Sequence, residues 1–317
     1  MKIVKRLKVI IISILVIIFI PLSSYPFFKY DDTFSARASG MGGAFTAIAD
    51  DVSAAVYNIA GISELRNKEI LFSYSKEFTG MEKVNLNYSY LSLLYPLTFS
   101  SISLYYNNFN VSDLYREYII SIGYGINLMR LTSYKVIKLL SGINLKYLSN
   151  YFILDERSSN DPFFQLNNNN FKAFSMDIGF ILKNFIKNLS PFSLSLFLKD
   201  FYKFYSNFPS DNIPVEVRCG ASYYFFLDLF RKNKLKFDVD MIYRNNDINL
   251  AGGAELSILN NLILFRGGLD FYKVTTGIGI NYQLNNGFEV NLDYAFLYPY
   301  SIIGTLGSHI VSFHFLF

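Results

Sequence analysis

Long runs in which apolar and polar residues alternate constrain the fold of this 317-residue chain more than any other feature. In residues 288–296 every second residue is Phe, Val, Leu or Tyr, and the residues between them are Glu, Asn, Asp and Ala. Residues 235–243 and 118–126 show the same period of two. Because successive side chains of a strand point to opposite faces, these runs predict strands with one apolar and one polar face.

Candidate strands can be placed along the whole chain from residue 69 onward. There are fourteen of them: residues 69–77, 82–95, 98–107, 116–128, 135–150, 170–183, 190–200, 214–228, 234–244, 248–259, 261–271, 274–284, 287–298 and 308–317. Single-chain bacterial outer-membrane barrels have an even number of strands. If the N-terminus starts in the periplasm, the two longest connections, residues 151–169 and 201–213, both lie outside, and the connections on the other side are short turns. A soluble sandwich shows the same alternation, so the two ends of the chain must separate these classes.

The first 24 residues are predicted to be a signal peptide that is removed on export. Four cations between Lys2 and Lys8 precede an apolar run over residues 9–22, which is shorter than the roughly 20 residues of a spanning helix. A retained membrane anchor is the alternative. Without these four cations the 29 Lys and Arg fall to 25, against 25 Asp and Glu. The mature chain is therefore close to neutral, and its charge gives no reason to expect nucleic-acid binding.

The chain ends in residues 311–317, with Phe313, Phe315 and Phe317 on one face. This end resembles the last strand of bacterial outer-membrane proteins, which implies recognition by the barrel assembly machinery through the strand that ends at Phe317. The 32 Phe and 25 Tyr exceed what a soluble domain needs, whereas a barrel in lipid has an apolar outer face. The prediction is an all-β fold: a transmembrane antiparallel up-and-down β-barrel of about 14 strands, surrounded by lipid in the outer membrane of a Gram-negative-type bacterium.

Residues 35–61 differ from the rest of the chain because 15 of the 27 are Ala, Gly or Ser. Small side chains let one backbone lie close to another, and a barrel of fourteen strands is wider than the eight-strand barrels that side chains fill. We therefore expect a hatch over residues 25–66 in the lumen of a barrel formed by residues 67–317. A short helix through residues 52–57 is expected within it, with Asp50 or Asp51 as its cap.

Three runs in this stretch, residues 38–45, 49–51 and 54–61, resemble the N-terminal signature of the PorV/PorQ family within the FadL-like group, the long-chain fatty-acid transporter type of barrel. The resemblance implies a lumenal hatch, although Ile59 stands where that group has Pro in an Asn-Pro-Ala turn. A dinucleotide-binding fingerprint is excluded because Phe45 replaces its last Gly or Ala and no βαβ unit surrounds it. The residues expected to shape the hatch are Arg37, Gly40, Gly42, Gly43, Asp50, Asp51, Asn58 and Gly61.

Charged residues on the polar faces of the later strands point into the lumen by the same alternation. They are Glu216, Arg218, Asp238, Asp240, Glu255, Arg266, Glu289 and Asp293. One interpretation is that these side chains dock the charged residues of the hatch. The other is a general polar network that keeps the wet interior hydrogen-bonded. Both remain open from the sequence.

Transport of hydrophobic small molecules is the predicted function, and a role in protein secretion is the alternative. Likeness to the FadL-like group implies that outer loops capture hydrophobic small molecules, which then pass the hatch and cross the outer membrane. Likeness to PorV and PorQ implies an accessory or shuttle barrel of type IX-like secretion, whose loops bind a secreted protein. The aromatic residues expected to contact the ligand or partner lie in the two long loops: Phe163, Phe164, Phe201, Tyr202, Phe204 and Tyr205.

No catalytic residue, metal site or cofactor is predicted. The two histidines, His309 and His314, are five residues apart on one strand and therefore face opposite sides of it. Cys219 is the single cysteine, which excludes an intramolecular disulfide and a Cys-rich zinc site. The sequence indicates a transport or interaction barrel and not an enzyme.

Overall fold

The computed structural model describes residues 33–81, 85–112, 114–131, 137–156, 158–160, 169–185, 191–205, 213–227, 233–284 and 287–317. The predicted signal peptide (residues 1–24) and the predicted contact residues Phe163 and Phe164 lie outside these ranges. The described chain contains fourteen strands, two short α-helices and three short 3₁₀ helices. No helix among the described residues is long and apolar enough to cross a membrane.

The fourteen strands form one closed antiparallel barrel, which confirms the predicted fold class and strand number. In chain order they are β1 (Glu69–Glu77), β2 (Leu86–Pro96), β3 (Ser100–Val111), β4 (Tyr115–Asn127), β5 (Lys138–Phe152), β6 (Asn170–Lys183), β7 (Ser193–Tyr205), β8 (Glu216–Leu227), β9 (Asn233–Arg244), β10 (Asp247–Ile258), β11 (Ile263–Leu269), β12 (Lys273–Gln283), β13 (Glu289–Pro299) and β14 (Ser308–Leu316). Each strand pairs with its sequence neighbours, and β1 pairs with β14 to close the ring.

The two faces of each strand differ as the alternation predicts. On β1, Ser73 and Ser75 are buried on the inner face, whereas Phe72 and Tyr74 are 44% and 43% exposed on the outer face. The same pattern recurs around the ring and leaves an outer surface of Phe, Tyr, Leu, Ile and Val. Closure pairs the backbone groups of every strand on both sides, so an apolar outer surface is compatible with a lipid environment.

The two ends of the barrel carry different connections. We name the loop end as the end where each odd-numbered strand joins the next even-numbered strand, and the turn end as the opposite one. The loop end holds the long connection over residues 153–169 and also tight turns such as Asn245–Asn246. At the turn end, residues 128–137 and 184–192 are longer than the short turns predicted there, and the first of them contains the 3₁₀ helix Leu128–Leu131.

Strand β7 corrects the predicted position of four aromatic residues. Phe201, Tyr202, Phe204 and Tyr205 were expected in a loop, but they lie on β7, which pairs with β6 as far as Tyr205. A bulge in β7 around Asp200, whose φ is +56°, shifts the register and lets the strand continue. Phe201, Tyr202 and Phe204 are exposed on this strand.

Residues 33–65, here called the N-terminal segment, lie inside the ring of strands. The segment contains α1 (Ala36–Gly40), α2 (Ala54–Tyr57) and the 3₁₀ helix Ile59–Glu64, and almost all of its side chains are buried. Helix α2 begins two residues later than predicted. Asp51 lies just before it and accepts a hydrogen bond from the Ser53 N–H at 2.8 Å, whereas no side chain caps the helix itself.

Candidate functional site

The N-terminal segment and the inner wall that holds it form the candidate site. The wall supplies side-chain acceptors for backbone N–H groups in the connection between the segment's two α-helices. Asp240 Oδ2 accepts the N–H groups of Phe45 and Thr46 at 3.0 Å each and the Thr46 hydroxyl at 2.6 Å. Asp238 Oδ2 accepts the next two backbone N–H groups, at 3.3 and 3.2 Å. Two carboxylates on one strand thus hold four successive backbone amides.

Arg37 joins the segment to the wall through several ion pairs. Its Nε and Nη2 donate to the two carboxylate oxygens of Glu255 at 2.8 and 2.9 Å, a bidentate arrangement. Its Nη1 lies 2.7 Å from Asp51 and 2.8 Å from Asp50 within the segment. Lys236 from β9 reaches Asp50 Oδ2 at 2.7 Å. The same guanidinium therefore folds the segment on itself and attaches it to β10.

The ion pairs continue along the wall. Arg266 on β11 donates to Glu255 at 2.8 Å and to Asp293 on β13 at 2.6 Å, and both of its partners are buried. An added Cβ on Gly279 of β12 would lie 2.2 Å from Asp293 Oδ1, so the glycine leaves space for this pair. The ion-pair cluster spans four strands and the segment: Arg37, Asp50, Asp51, Lys236, Glu255, Arg266 and Asp293.

The charges of the cluster stabilise one another's ionised forms. Burial raises the pKa of Asp50, but Arg37 and Lys236 outweigh this effect and hold that pKa well below its usual range. Burial lowers the pKa of Arg37, and the neighbouring Asp50, Glu255 and Asp51 raise it above its ordinary value. A second ionic contact lies at the other end of the segment, where Glu64 is 2.7 Å from both Lys138 and Lys183.

Glycines of the wall let the segment's backbone approach β10 and β11. Gly253 and Gly268 are paired across these strands. An added Cβ would lie 2.2 Å from the Met41 carbonyl oxygen in the first case and 2.2 Å from Gly42 N in the second. Their neighbours Gly252 and Gly267 have nothing within 4 Å of an added Cβ. An added side chain would therefore meet the segment at the inward glycines Gly253 and Gly268, and at neither of their outward neighbours.

The predicted hatch residues also shape the segment internally. Gly42 and Gly43 have φ angles of +72° and +81°, a conformation that side chains disfavour, and they form the turn after α1. Asn58 accepts the Ala60 N–H at 3.2 Å and donates to the Thr46 carbonyl at 3.0 Å, so it ties two parts of the segment together. The Asn side chain thus orders the turn in which Ile59 stands in place of Pro.

The remaining contacts extend around the ring, so that every strand touches the segment. Hydrogen bonds link it to β1, β2, β3, β5, β6, β12 and β14. Lys199 on β7 lies over the Phe34 ring, and Gly220 on β8 lies against Ala47. The 3₁₀ helix Ile59–Glu64 packs on β4, and α1 packs on β13. Among the described residues, the segment therefore has contacts around the whole circumference of the ring.

Two cavities lie on opposite sides of the segment. The loop-end cavity has a volume of about 470 Å³ and is lined by Thr33 of the segment together with residues of the loop end. The turn-end cavity has a volume of about 480 Å³ and is lined by Arg37, Asp50 and Asp51 together with residues 259–262 of the β10–β11 turn. The segment is the part of the described chain that separates them.

The eight charged residues predicted to face the lumen fall into two groups in the structure. Asp238, Asp240, Glu255, Arg266 and Asp293 contact the segment or belong to the ion-pair cluster. Of the other three, Glu216 and Arg218 line the loop-end cavity, and Glu289 lines the turn-end cavity. Phe201, Tyr202 and Phe204 line neither of these two cavities.

Several contact residues were not singled out from the sequence. Glu69 accepts the Val52 N–H at 2.8 Å and lies 2.9 Å from His314 Nε2, and Asn144 donates to the Ala55 carbonyl at 2.7 Å. Ser312 accepts the Ala36 N–H at 2.8 Å. All of these wall residues lie on the polar, inward faces of their strands. The alternation of apolar and polar residues could therefore have predicted that they face the lumen.

Comparison with known proteins shows which solved structures have a similar fold. No protein-family model and no curated protein matches the chain. The CymD monoaromatic hydrocarbon channel aligns with a TM-score of 0.54 at 10% identity, over 88% of this chain and 95% of that chain. A FadL homologue from Pseudomonas aeruginosa gives 0.53 at 8% identity over 93% and 99%, and the Pseudomonas putida toluene transporter TodX gives 0.50 at 10% over 93% and 98%. The fold is thus similar to that of FadL-type outer-membrane barrels, and the narrower resemblance to PorV/PorQ stays a prediction.

Proposed function

We propose that this protein is an outer-membrane barrel through which hydrophobic small molecules cross the membrane, and that the N-terminal segment is a hatch that must move to let them pass. The observation that carries the proposal is the position of the segment. It contacts all fourteen strands and separates two cavities of about 470 and 480 Å³ at opposite ends of one bore. A molecule that enters one cavity reaches the other only when the segment shifts.

The comparisons with proteins of similar fold support hydrophobic small molecules as the transported substrates. Two barrels of similar fold are described as a monoaromatic hydrocarbon channel and a toluene transporter. The outer surface of this barrel is apolar, as an outer-membrane protein requires, and the loop end is taken as the extracellular side. Bacterial outer membranes exclude apolar solutes at their polar outer leaflet, so a barrel that bypasses this leaflet has a transport role without any catalysis.

The mode of docking supports a hatch that moves as a unit. The segment is attached by side-chain hydrogen bonds and ion pairs, including the bidentate contact between Arg37 and Glu255, and its covalent connection to the wall among the described residues is its continuation into β1. Such polar contacts exchange with water when they open, which makes their net free energy much smaller than their number implies. Breaking the contacts therefore allows movement while the hydrogen-bonded barrel stays closed.

The test locks the segment to the wall with a disulfide. An added Cβ on Gly40 would lie 3.2 Å from Gly277 Cα, and one on Gly277 would lie 3.3 Å from Gly40 Cα. The two Cα atoms are therefore at most about 4.7 Å apart, which is the short end of the roughly 4.4–6.8 Å that a disulfide spans. The variant combines Gly40→Cys and Gly277→Cys with Cys219→Ser. Uptake of an apolar naphthyl dye is measured in cells whose intact outer membrane excludes it. Each single cysteine variant serves as a matched control.

We expect the reduced double variant to admit the dye as fast as the parent, the oxidised form to lose this uptake, and reduction to restore it. The single cysteine variants should not respond to oxidation. If the oxidised double variant admits the dye as fast as its reduced form, the segment is not the gate. If neither the parent nor any variant raises dye uptake above that of cells without the barrel, the transport function itself is wrong.

A further inference from the structure

The loop-end cavity has the size of a ligand site. Its volume of about 470 Å³ falls within the roughly 300–1,000 Å³ of pockets that bind small molecules. Strands β8, β9, β10 and β13 and the β13–β14 connection contribute to its walls, and Thr33 of the N-terminal segment lines it as well. A molecule that passes the hatch from the loop end must occupy this cavity first.

Charged side chains of both signs line one part of the cavity. Arg218 Nε lies 2.5 Å from Glu216 Oε1, and Arg244 Nη1 lies 3.7 Å from Glu216 Oε2. Glu77 is a further carboxylate of this lining. These groups are hydrated or paired, and a hydrocarbon placed against them would remove water without offering a hydrogen bond in return.

The β11–β12 turn brings a second charged group to the cavity. Lys273 Nζ lies 3.7 Å from Asp270 Oδ2, and Asp247 accepts a hydrogen bond from the Tyr272 hydroxyl. Together the two groups hold four carboxylates and three cations, so the described residues of the lining carry a net charge of −1. Because the net charge is negative, an anionic ligand would meet repulsion at close range.

Apolar side chains complete the lining. Phe78, Ile242, Leu297 and Ile302 contribute hydrocarbon surface to the same cavity. The apolar outer surface of the barrel also reaches the rim, because Ile248 and Phe271, which directly follow Asp247 and Asp270, are 52% and 58% exposed. The cavity therefore offers an apolar wall and a charged wall to one occupant, next to a rim that adjoins lipid.

Thr33 gives an independent sign of a polar ligand group. Its side chain is only 3% exposed, it lines the cavity, and its hydroxyl has no hydrogen-bond partner among the described residues. A buried hydroxyl without a partner costs free energy unless something donates to it or accepts from it. A ligand hydroxyl can do both.

We propose that the loop-end cavity binds an uncharged amphiphile, a molecule with an apolar body and a neutral polar group that both donates and accepts hydrogen bonds. The apolar body lies against Phe78, Ile242 and Leu297, and the polar group contacts Thr33 and the charged wall. The inference rests on the proposed function for its biological meaning, because it names the class of molecule that the barrel selects. The binding itself can be measured without transport.

The test compares three ten-carbon probes that differ in one group: decane, 1-decanol and decanoate. The chain has no Trp, so Phe78→Trp places a single fluorescent reporter in the cavity of the full-length barrel in lipid vesicles. Half-saturation is expressed as the mole fraction of probe in the membrane, which removes differences in partitioning. We expect decanol to bind at least tenfold more tightly than decane or decanoate.

Two further substitutions in the reporter background test the contacts. Thr33→Val removes the hydroxyl at nearly constant shape, so decanol affinity should fall about 3- to 10-fold while decane affinity is unchanged. Asp247→Asn removes one negative charge, so decanoate affinity should rise several-fold while decanol affinity changes less than twofold. Val111→Thr on the far side of the barrel is a matched control for altered hydroxyl content and should change neither.

Equal affinity for decane and decanol overturns the proposal, because the apolar wall alone then selects the ligand. Tighter binding of decanoate than of decanol also overturns it, in favour of an anionic ligand. The proposed function is tested separately. If decanol binds as expected but cells expressing the barrel gain no dye or decanol uptake, the transport function fails and the binding site stands. If decane and decanol enter cells equally and Thr33→Val changes nothing, transport stands and the inference fails.

Discussion

The inward glycines of β10 and β11 allow a sharp test of how the N-terminal segment is held. In Gly253→Ala the new Cβ would lie 2.2 Å from the Met41 carbonyl oxygen, and in Gly268→Ala it would lie 2.2 Å from Gly42 N. An ordinary contact begins near 3.4 Å, so the segment must move by about 1.2 Å. The atoms it meets belong to backbone and have no rotamer that relieves the clash.

The expected cost follows from that distance. Overpacking a buried site costs about 1–3 kcal/mol, and a backbone clash falls at the upper end of this range. About 3 kcal/mol raises the undocked fraction of the segment roughly 100-fold, since 1.4 kcal/mol is a factor of ten. Gly252→Ala and Gly267→Ala are matched controls on the same strands, because their added Cβ atoms meet nothing within 4 Å.

The assay measures exposure of a buried site in the segment. Ser35 is 2% exposed, so Ser35→Cys in a Cys219→Ser background reacts with a water-soluble maleimide only when the segment opens. When opening and closing are fast, the labelling rate follows the open fraction. We expect Gly253→Ala and Gly268→Ala to label roughly 100-fold faster and both controls to stay within about twofold of the parent.

The barrel itself should remain intact in all four variants, because the clash concerns the segment and not the strand pairing. Heat-modifiable electrophoretic mobility checks this. The reasoning is refuted if the inward variants label at the parent rate in an intact barrel. It is equally refuted if the outward variants label as fast as the inward ones, because the position of the Cβ would then be irrelevant.

Three further predictions concern the same docking, read out with Ser35→Cys labelling or with a single Trp. Arg37→Gln leaves buried carboxylates without their main partner and should raise the labelling rate by at least 100-fold, from a loss of roughly 3–5 kcal/mol; the exposed Arg116→Gln is the control and should change nothing. Asp240→Asn removes a charged acceptor of two backbone amides and should raise the labelling rate roughly 10-fold. An unchanged labelling rate would mean that water molecules accept these hydrogen bonds equally well. Because the pKa of Asp50 is held below its ordinary value of about 4 in the docked state, its stabilising effect is complete above that pH and is lost as pH falls below it. The emission of Phe34→Trp should therefore stay constant from pH 8 to 5 and shift only below about pH 4; a transition near pH 6 would mean that a group other than Asp50 controls the docking.

The strands and their faces could be predicted from the sequence because alternation is a local property. Whether Ser73 points inward is decided by its position relative to Phe72 and Tyr74, and the same rule turns Glu255 inward on β10. The even strand count follows from the same pattern. Composition likewise marks residues 35–61 as a stretch that fits against other backbone.

The length of β7 shows where local reading fails. Asp200 and the aromatic residues after it look like the start of a loop, but a bulge at Asp200 lets the strand continue along β6. A bulge depends on the partner strand and its register, and neither is visible in the residues of β7 alone. The predicted loop contacts Phe201, Tyr202 and Phe204 are exposed strand residues for this reason.

The sequence by itself determined that the chain forms a barrel with a polar interior and contains one segment of small residues. Only the tertiary structure decided which wall residues hold that segment. Arg37 meets Glu255 across 218 residues, and of two adjacent glycines only Gly253 touches Met41. The alternation assigns a face to each residue, whereas the partner of an inward residue depends on closure of the ring and on the path of the segment inside it, which are set by contacts between distant parts of the chain.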